Sequence, residues 1–99
     1  MILITGTIRV APDSLAAARP AMERMIAASR AEPGCITYSY AEDVLEPGLI
    51  RVTELWTDRQ CLDRHFASAH IADWRAQWDQ LGITDRVLTA YEVDAGRAV

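Results

Sequence analysis

The sequence contains no lysine and no asparagine in its 99 residues. Without lysine there is no side-chain amine to form a Schiff base with a carbonyl substrate. Without asparagine, an oxyanion hole built on that side-chain amide is excluded. All ten basic residues are arginines, scattered along the chain and outnumbered by fourteen acids, for a net charge of −4. No basic stripe exists to follow a phosphate backbone, which argues against a nucleic-acid partner. The acidic balance argues equally against an anionic membrane surface, and no apolar run approaches the roughly 18 residues of a membrane helix. The opening Met1-Ile2-Leu3-Ile4-Thr5-Gly6 has no basic region and no small-residue cleavage site, so it does not read as a signal peptide. The two cysteines, Cys35 and Cys61, form neither a metal spacing nor a redox pair. Reduced thiols in a cytoplasmic protein are therefore expected.

What is present is enough apolar material, 51% of the residues, for one compact core. The length fits a single domain, expected over residues 1–94, with 95–99 as a flexible C-terminal tail. Residues 2 to 10 alternate as a strand, with Ile2, Ile4, Ile8 and Val10 on one face. Pro12-Asp13-Ser14 offers a helix cap. From Leu15 the apolar spacing is helical through Ala18, Met22 and Met25, with Pro20 expected to bend the helix or disturb its first turns. Glu32-Pro33-Gly34 ends it. Residues 35–42 and 49–56 alternate again around a polar, Pro47-Gly48 connection. Ile36, Tyr38 and Tyr40 are expected on one face of the first strand, and Ile50, Val52, Glu54 and Trp56 on one face of the second. Thr57 with Gln60, or Asp58 alone, caps the next helix. Ser68 is a second cap where the helix breaks and restarts. Trp74, Trp78 and Leu81 then continue one apolar face to Gly82, and residues 86–93 form a last strand.

The order β-α-β-β-α-β is the ferredoxin-like arrangement of the α+β class, with helices on one face of an antiparallel sheet. Leu3, Leu49, Leu55, Leu88 and Ala90 are expected on the opposite face. That face is too apolar for a lone two-layer domain, so a second copy is expected to cover it, sheet against sheet.

The most distinctive stretch reads Glu54-x-Trp56, then eight residues, then His65-x-x-Ser68-x-His70. With the opening strand and Glu32-Pro33-Gly34-Cys35-Ile36-x-Tyr38, it resembles the antibiotic biosynthesis monooxygenase (ABM) family, including its quinol-monooxygenase-like members. The resemblance runs from Ile2 to about Val93. It implies a homodimeric α+β barrel with a small cavity between sheet and helices. It also implies oxidation of phenols, anthrones or quinols by O₂ with no cofactor.

Such chemistry needs a base to remove a phenol or enol proton, a hydrogen-bond partner for the developing oxyanion, and a dry apolar wall. His65 is the expected base, since its unperturbed pKa of about 6.5 lies near working pH. His70 assists if the break at Ser68 turns it inward. Trp56 is the third residue placed in the catalytic set, and Tyr38, Tyr40, Glu54, Phe66 and Ser68 are expected to line the cavity. The plainer readings are structural. The histidines bond backbone near the helix break, Trp56, Trp74 and Trp78 belong to core or interface, and Glu54 pairs with Arg51, Arg64 or Arg86. No metal is expected, because two histidines five apart miss the i, i+4 zinc spacing and no third ligand is signalled.

Two departures from the family narrow the reading. The polyketide-tailoring members use an asparagine near the tryptophan, where this chain has Val52 and Leu62 as flanking positions. The haem-degrading branch has a tryptophan where His65 stands, an iron-ligating histidine where Arg75 stands, and an asparagine where this chain has Thr5-Gly6-Thr7. The leading expectation is a cofactor-independent monooxygenase acting on a small aromatic hydroquinone, phenol or enol. The alternatives are a small-molecule isomerase of the same fold and a non-catalytic dimeric module that binds a small hydrophobic ligand.

Overall fold

A computed structural model describes all 99 residues. Strands β1 (Ile2–Val10), β2 (Cys35–Glu42), β3 (Leu49–Trp56) and β4 (Ile83–Glu92) form one sheet in the order β2-β3-β1-β4. Every neighbouring pair is antiparallel. Helix α1 (Leu15–Arg30) follows β1, and α2 (Arg59–Phe66), α3 (Ala69–Ala76) and α4 (Trp78–Leu81) follow β3. This is the expected α+β ferredoxin-like fold.

The core lies between the helices and one face of the sheet. Ile2, Ile4, Ile8 and Val10 of β1 meet Ile50, Val52, Glu54 and Trp56 of β3 there, all at most 5% exposed. From α1, Ala18, Met22 and Met25 close on the same core. Period-2 alternation on strands and helical spacing on α1 place these side chains together. Burying them supplies most of the folding drive.

Several local expectations are corrected. Ser14 makes no side-chain cap bond. The chain instead enters α1 through a tight turn at Pro12–Ser14, whose backbone bonds Ser14 N–H to Ala11 C=O. The helix then runs uninterrupted through Pro20. At α2, Asp58 is the cap, its Oδ1 accepting from the Cys61 amide at 2.8 Å. The stretch from Trp74 to Leu81 is not one helix, because it breaks at Gln77 between α3 and α4.

Two β-bulges redirect side chains. In β2 the pairing skips Ile36, so Cys35 rather than Ile36 turns toward the helices and Ile36 is left half exposed. In β4 the register shifts opposite Thr7–Arg9, beside Asp85 with φ of 54°. An extra residue in one strand exchanges its two faces beyond that point. Leu88 and Ala90 therefore pair with Gly6 and Ile4 on the helix face, not the open one. Val87, Thr89 and Tyr91 take the open face beside Leu3, Leu55 and Thr5. The open face is still apolar, but through a different set of β4 residues.

Gly6 allows β1 and β4 to approach closely. A Cβ there would stand 1.9 Å from the Val87 carbonyl oxygen, a rigid backbone atom. The substitution Gly6→Ala is expected to destabilise the fold by about 1–3 kcal/mol or more, because neither strand can move without losing its partner. Denaturant unfolding of the two proteins checks this; equal midpoints would refute the close approach.

Candidate active site

The site begins where α1 ends. Arg30 Nε donates to the Tyr38 carbonyl at 2.8 Å and fastens the helix end to β2. Gly34 is pressed onto α2: a Cβ there would lie 2.3 Å from Cys61 Sγ, so only glycine fits. Its carbonyl accepts from the Thr57 amide at 2.9 Å. The turn between Arg30 and Cys35 is thus clamped against the start of α2, and Glu32 reaches the residue one turn further on, His65.

Glu32 Oε2 lies 2.5 Å from His65 Nδ1 and 3.1 Å from His70 Nε2. A carboxylate oxygen so close must face an N–H, because two lone pairs would repel. His65 therefore carries its proton on Nδ1 and, when neutral, leaves Nε2 free. His65 is 1% exposed. Its ring lies 4.6 Å from that of Trp56 and 5.3 Å from that of Tyr38, centroid to centroid. Burial pushes the His65 pKa below its ordinary value, and wins over the opposing hydrogen bond and charge of Glu32. The imidazole is thereby held neutral, as a base must be.

The free Nε2 faces Glu54, whose Oε1 stands 3.8 Å away. Glu54 is 2% exposed and accepts from Trp56 Nε1 at 3.0 Å. Burial raises its pKa, with the Trp56 bond and the more distant Arg86 charge pulling the other way. Glu54 makes no ion pair with an arginine, contrary to the plainer reading above. Arg51 pairs with Asp43 at 2.8 Å, and Arg64 donates to Cys61 Sγ at 3.1 Å.

Tyr38, Tyr40, Glu54, His65 and Phe66 line one cavity between the sheet and α3–α4. Leu88 of β4 lines it from the sheet as well, Trp74 and Trp78 from the helices, and Arg75 and Arg86 complete the lining. The indole N–H groups of Trp74 and Trp78 are buried and have no partner in the chain. Burial also raises the pKa values of Tyr38 and Tyr40 above the ordinary phenol value. The space is about 20 Å³, room for about one water.

Three of the expected site residues lie outside this lining. Trp56 is fully buried beneath His65, where it supports the ring and binds Glu54. Ser68 makes no cap bond; it donates to the His65 carbonyl at 2.6 Å and tightens the break between α2 and α3. That break turns His70 toward Glu32 rather than into the cavity. Glu32 entered the sequence reading as part of a helix stop and of the family-like stretch, with no role in the site. An acid just past the C-terminus of α1 opposes the helix dipole, and this unfavourable placement is the one local sign that it serves something else.

The family model for antibiotic biosynthesis monooxygenase matches residues 1–77. The chain belongs to that family. A Synechocystis protein, sll1783, is 36% identical over 73 residues, or 74% of this chain. The match spans only 50% of that relative's length. "Putative monooxygenase Rv0793" of Mycobacterium tuberculosis is 36% identical over 70 residues, covering 71% of this chain and 68% of the relative. Its solved structure superposes with a TM-score of 0.82 over 98% of both chains. A Deinococcus radiodurans structure described as a "putative antibiotic biosynthesis monooxygenase" reaches a TM-score of 0.92 at 27% identity, over 100% of this chain and 98% of that one. No helix of the protein is long and apolar enough to cross a membrane.

The raised pKa of Glu54 has a testable sign. Its contribution to stability is fully present below the ordinary value of 4.5 and is lost as pH rises through the folded value. Glu54→Gln keeps an acceptor for Trp56 and removes the ionisation. The variant is expected to unfold at a higher temperature than the wild type at neutral pH, with the gap closing below pH 4.5. Thermal unfolding at both pH values checks this; a variant less stable at neutral pH would contradict the raised pKa of Glu54.

Proposed function

We propose that the protein is a cofactor-independent monooxygenase that oxidises a small aromatic hydroquinone, phenol or enol with O₂. One observation carries the reading. A buried histidine, held through Nδ1 by Glu32 and with Nε2 beside Glu54, lines an aromatic-walled cavity together with Trp74 and Trp78, whose indole N–H groups lack partners. His65 takes the substrate's O–H or C–H proton, and Glu32 holds the imidazole in the required tautomer and balances the imidazolium that forms. Trp74 and Trp78 supply N–H groups to the substrate oxyanion. Tyr38, Tyr40 and Phe66 form the wall, and Trp56 sets the ring beneath. His70 acts through Glu32 rather than on substrate.

The deprotonated ring passes electrons to O₂. One oxygen atom enters the substrate and the other leaves as water, while the substrate loses two hydrogens in all. A hydroquinone so treated gives a hydroxyquinone. The aromatic lining favours a flat, electron-rich substrate over a sugar-derived ketone, which places the isomerase reading second. With room for about one water, the cavity must widen before a ring enters, and α3–α4 forms the wall across from the sheet.

We also propose a homodimer joined through the open sheet face. Leu3 and Leu55 are half-buried there, and Val87 and Tyr91 are 65% and 52% exposed in the single chain. Contiguous apolar sheet of this kind is normally covered. The cytoplasm, where quinol-type substrates and reduced thiols coexist, is the proposed compartment.

Two measurements test these readings. O₂ uptake by the wild type should exceed autoxidation of a hydroquinone, dihydroxynaphthalene or anthrone, and His65→Ala should lose about 10²–10⁴ of that rate. Equal uptake by the two proteins would remove His65 as the base; no uptake with any of the three classes would count against the monooxygenase and for the binding module. For the dimer, light scattering at micromolar concentration should give twice the 11.0 kDa chain mass. A purely monomeric species would refute it.

A further inference from the structure

Glu32, His65 and His70 bring three ligand atoms within 4.8 Å of one another. They come from three separate segments: the turn after α1, the last turn of α2 and the first turn of α3. Sequence spacing could not pair them, since the acid stands more than thirty residues before either histidine. We propose that these residues form a binding site for a divalent transition ion of the zinc, cobalt(II) or iron(II) class.

The donor set fits that class. Two imidazole nitrogens and one carboxylate oxygen suit borderline metals, whereas magnesium and calcium want oxygen ligands only. Donors at about 2.0–2.1 Å from a tetrahedral ion stand about 3.3 Å apart. The present separations of 2.5 and 3.1 Å from Glu32 Oε2 are those of hydrogen bonds. One ion in place of the two N–H protons widens both by less than an ångström and requires the two histidine nitrogens, within 4.8 Å of each other, to settle at the same spacing through side-chain rotation. Glu32 and His70 are 15% and 25% exposed at their side chains, so the open coordination position faces solvent. Ligating imidazoles commonly donate their other N–H to a carboxylate, and the nearest group to His65 Nε2 of that kind is the Glu54 carboxyl at 3.8 Å, which must close in to serve.

The ion and the base use the same imidazole in opposite ways. A metal on Nδ1 displaces that proton, and the neutral ring then carries its hydrogen on Nε2. No lone pair remains on Nε2 to take a proton. The ion is therefore an inhibitor of the proposed oxidation, not its cofactor. This consequence rests on the function proposed above; the binding site does not.

Cobalt(II) is the probe. After dialysis against a chelator, the whole protein is titrated with Co²⁺ and its visible ligand-field absorption followed. The wild type should bind one Co²⁺ per chain with the band of a four- or five-coordinate site, displaced by Zn²⁺ and not by Mg²⁺. His70→Ala, at a partly exposed position, and Glu32→Gln should each bind at least about tenfold more weakly. Circular dichroism and thermal unfolding in chelator establish that both variants fold. No absorption change in the wild type overturns the site, as does equal affinity in folded variants or displacement by Mg²⁺. O₂ uptake measured on the same samples should fall as Co²⁺ saturates. Should the protein take up no O₂ at all, the proposed oxidation fails while the titration still decides the metal site.

Discussion

One carboxylate oxygen organises this site. Glu32 Oε2 receives N–H groups from both histidines of the chain, and each comes from a different helix. The contact fixes how α2 and α3 meet the end of α1. It also fixes the orientation and tautomer of His65, whose ring packs on Trp56 and Tyr38. Short bonds to a charged acceptor are stronger than neutral ones. Here they hold a polar ring inside an aromatic cluster that would otherwise favour an apolar side chain. Gly34 and Arg30 are the local devices that bring the acid within reach.

The arrangement departs from ordinary core design. Glu54 and His65 are ionisable, nearly fully buried and adjacent. Burial shifts each toward its neutral form, the acid upward and the imidazole downward. A core built for stability alone would avoid both groups, because a buried charge is costly unless paired. Two unpartnered indole donors stand across the same small cavity. Native proteins satisfy most buried polar groups, and exceptions gathered at one place are the pattern of a site prepared for a ligand.

Much of the fold was legible in the sequence because it rests on periodicity. The faces of β1 and β3 follow from strict alternation, and α1 from helical spacing. The faces of β2 and β4 were misjudged at the bulges beside Ile36 and Asp85, since one extra residue reverses every later side chain without any compositional sign. The candidate site was half legible. His65, Tyr38, Tyr40, Glu54 and Phe66 do come together at one cavity. Trp56, Ser68 and His70 sit behind or beside it, because a motif records proximity along the chain rather than which way a helix break turns its residues. Glu32 was missed as a partner of His65, since the contact is long-range. Trp74 and Trp78 looked like core, and only their orphaned N–H groups mark them as more.

The smallness of the cavity bears on how the protein would behave in time. A site that admits a water but no ring cannot fill at the rate of diffusional encounter; it fills at the rate at which its wall swings aside. That wall is α3 and α4, two short helices joined at Gln77, with Trp74 set edge-on to Tyr40 and to Trp78. Raising the substrate concentration would then accelerate binding only up to a plateau, and the plateau would report a helix movement rather than a collision. Under the proposed oxidation, the product, one oxygen larger, would leave through the same opening.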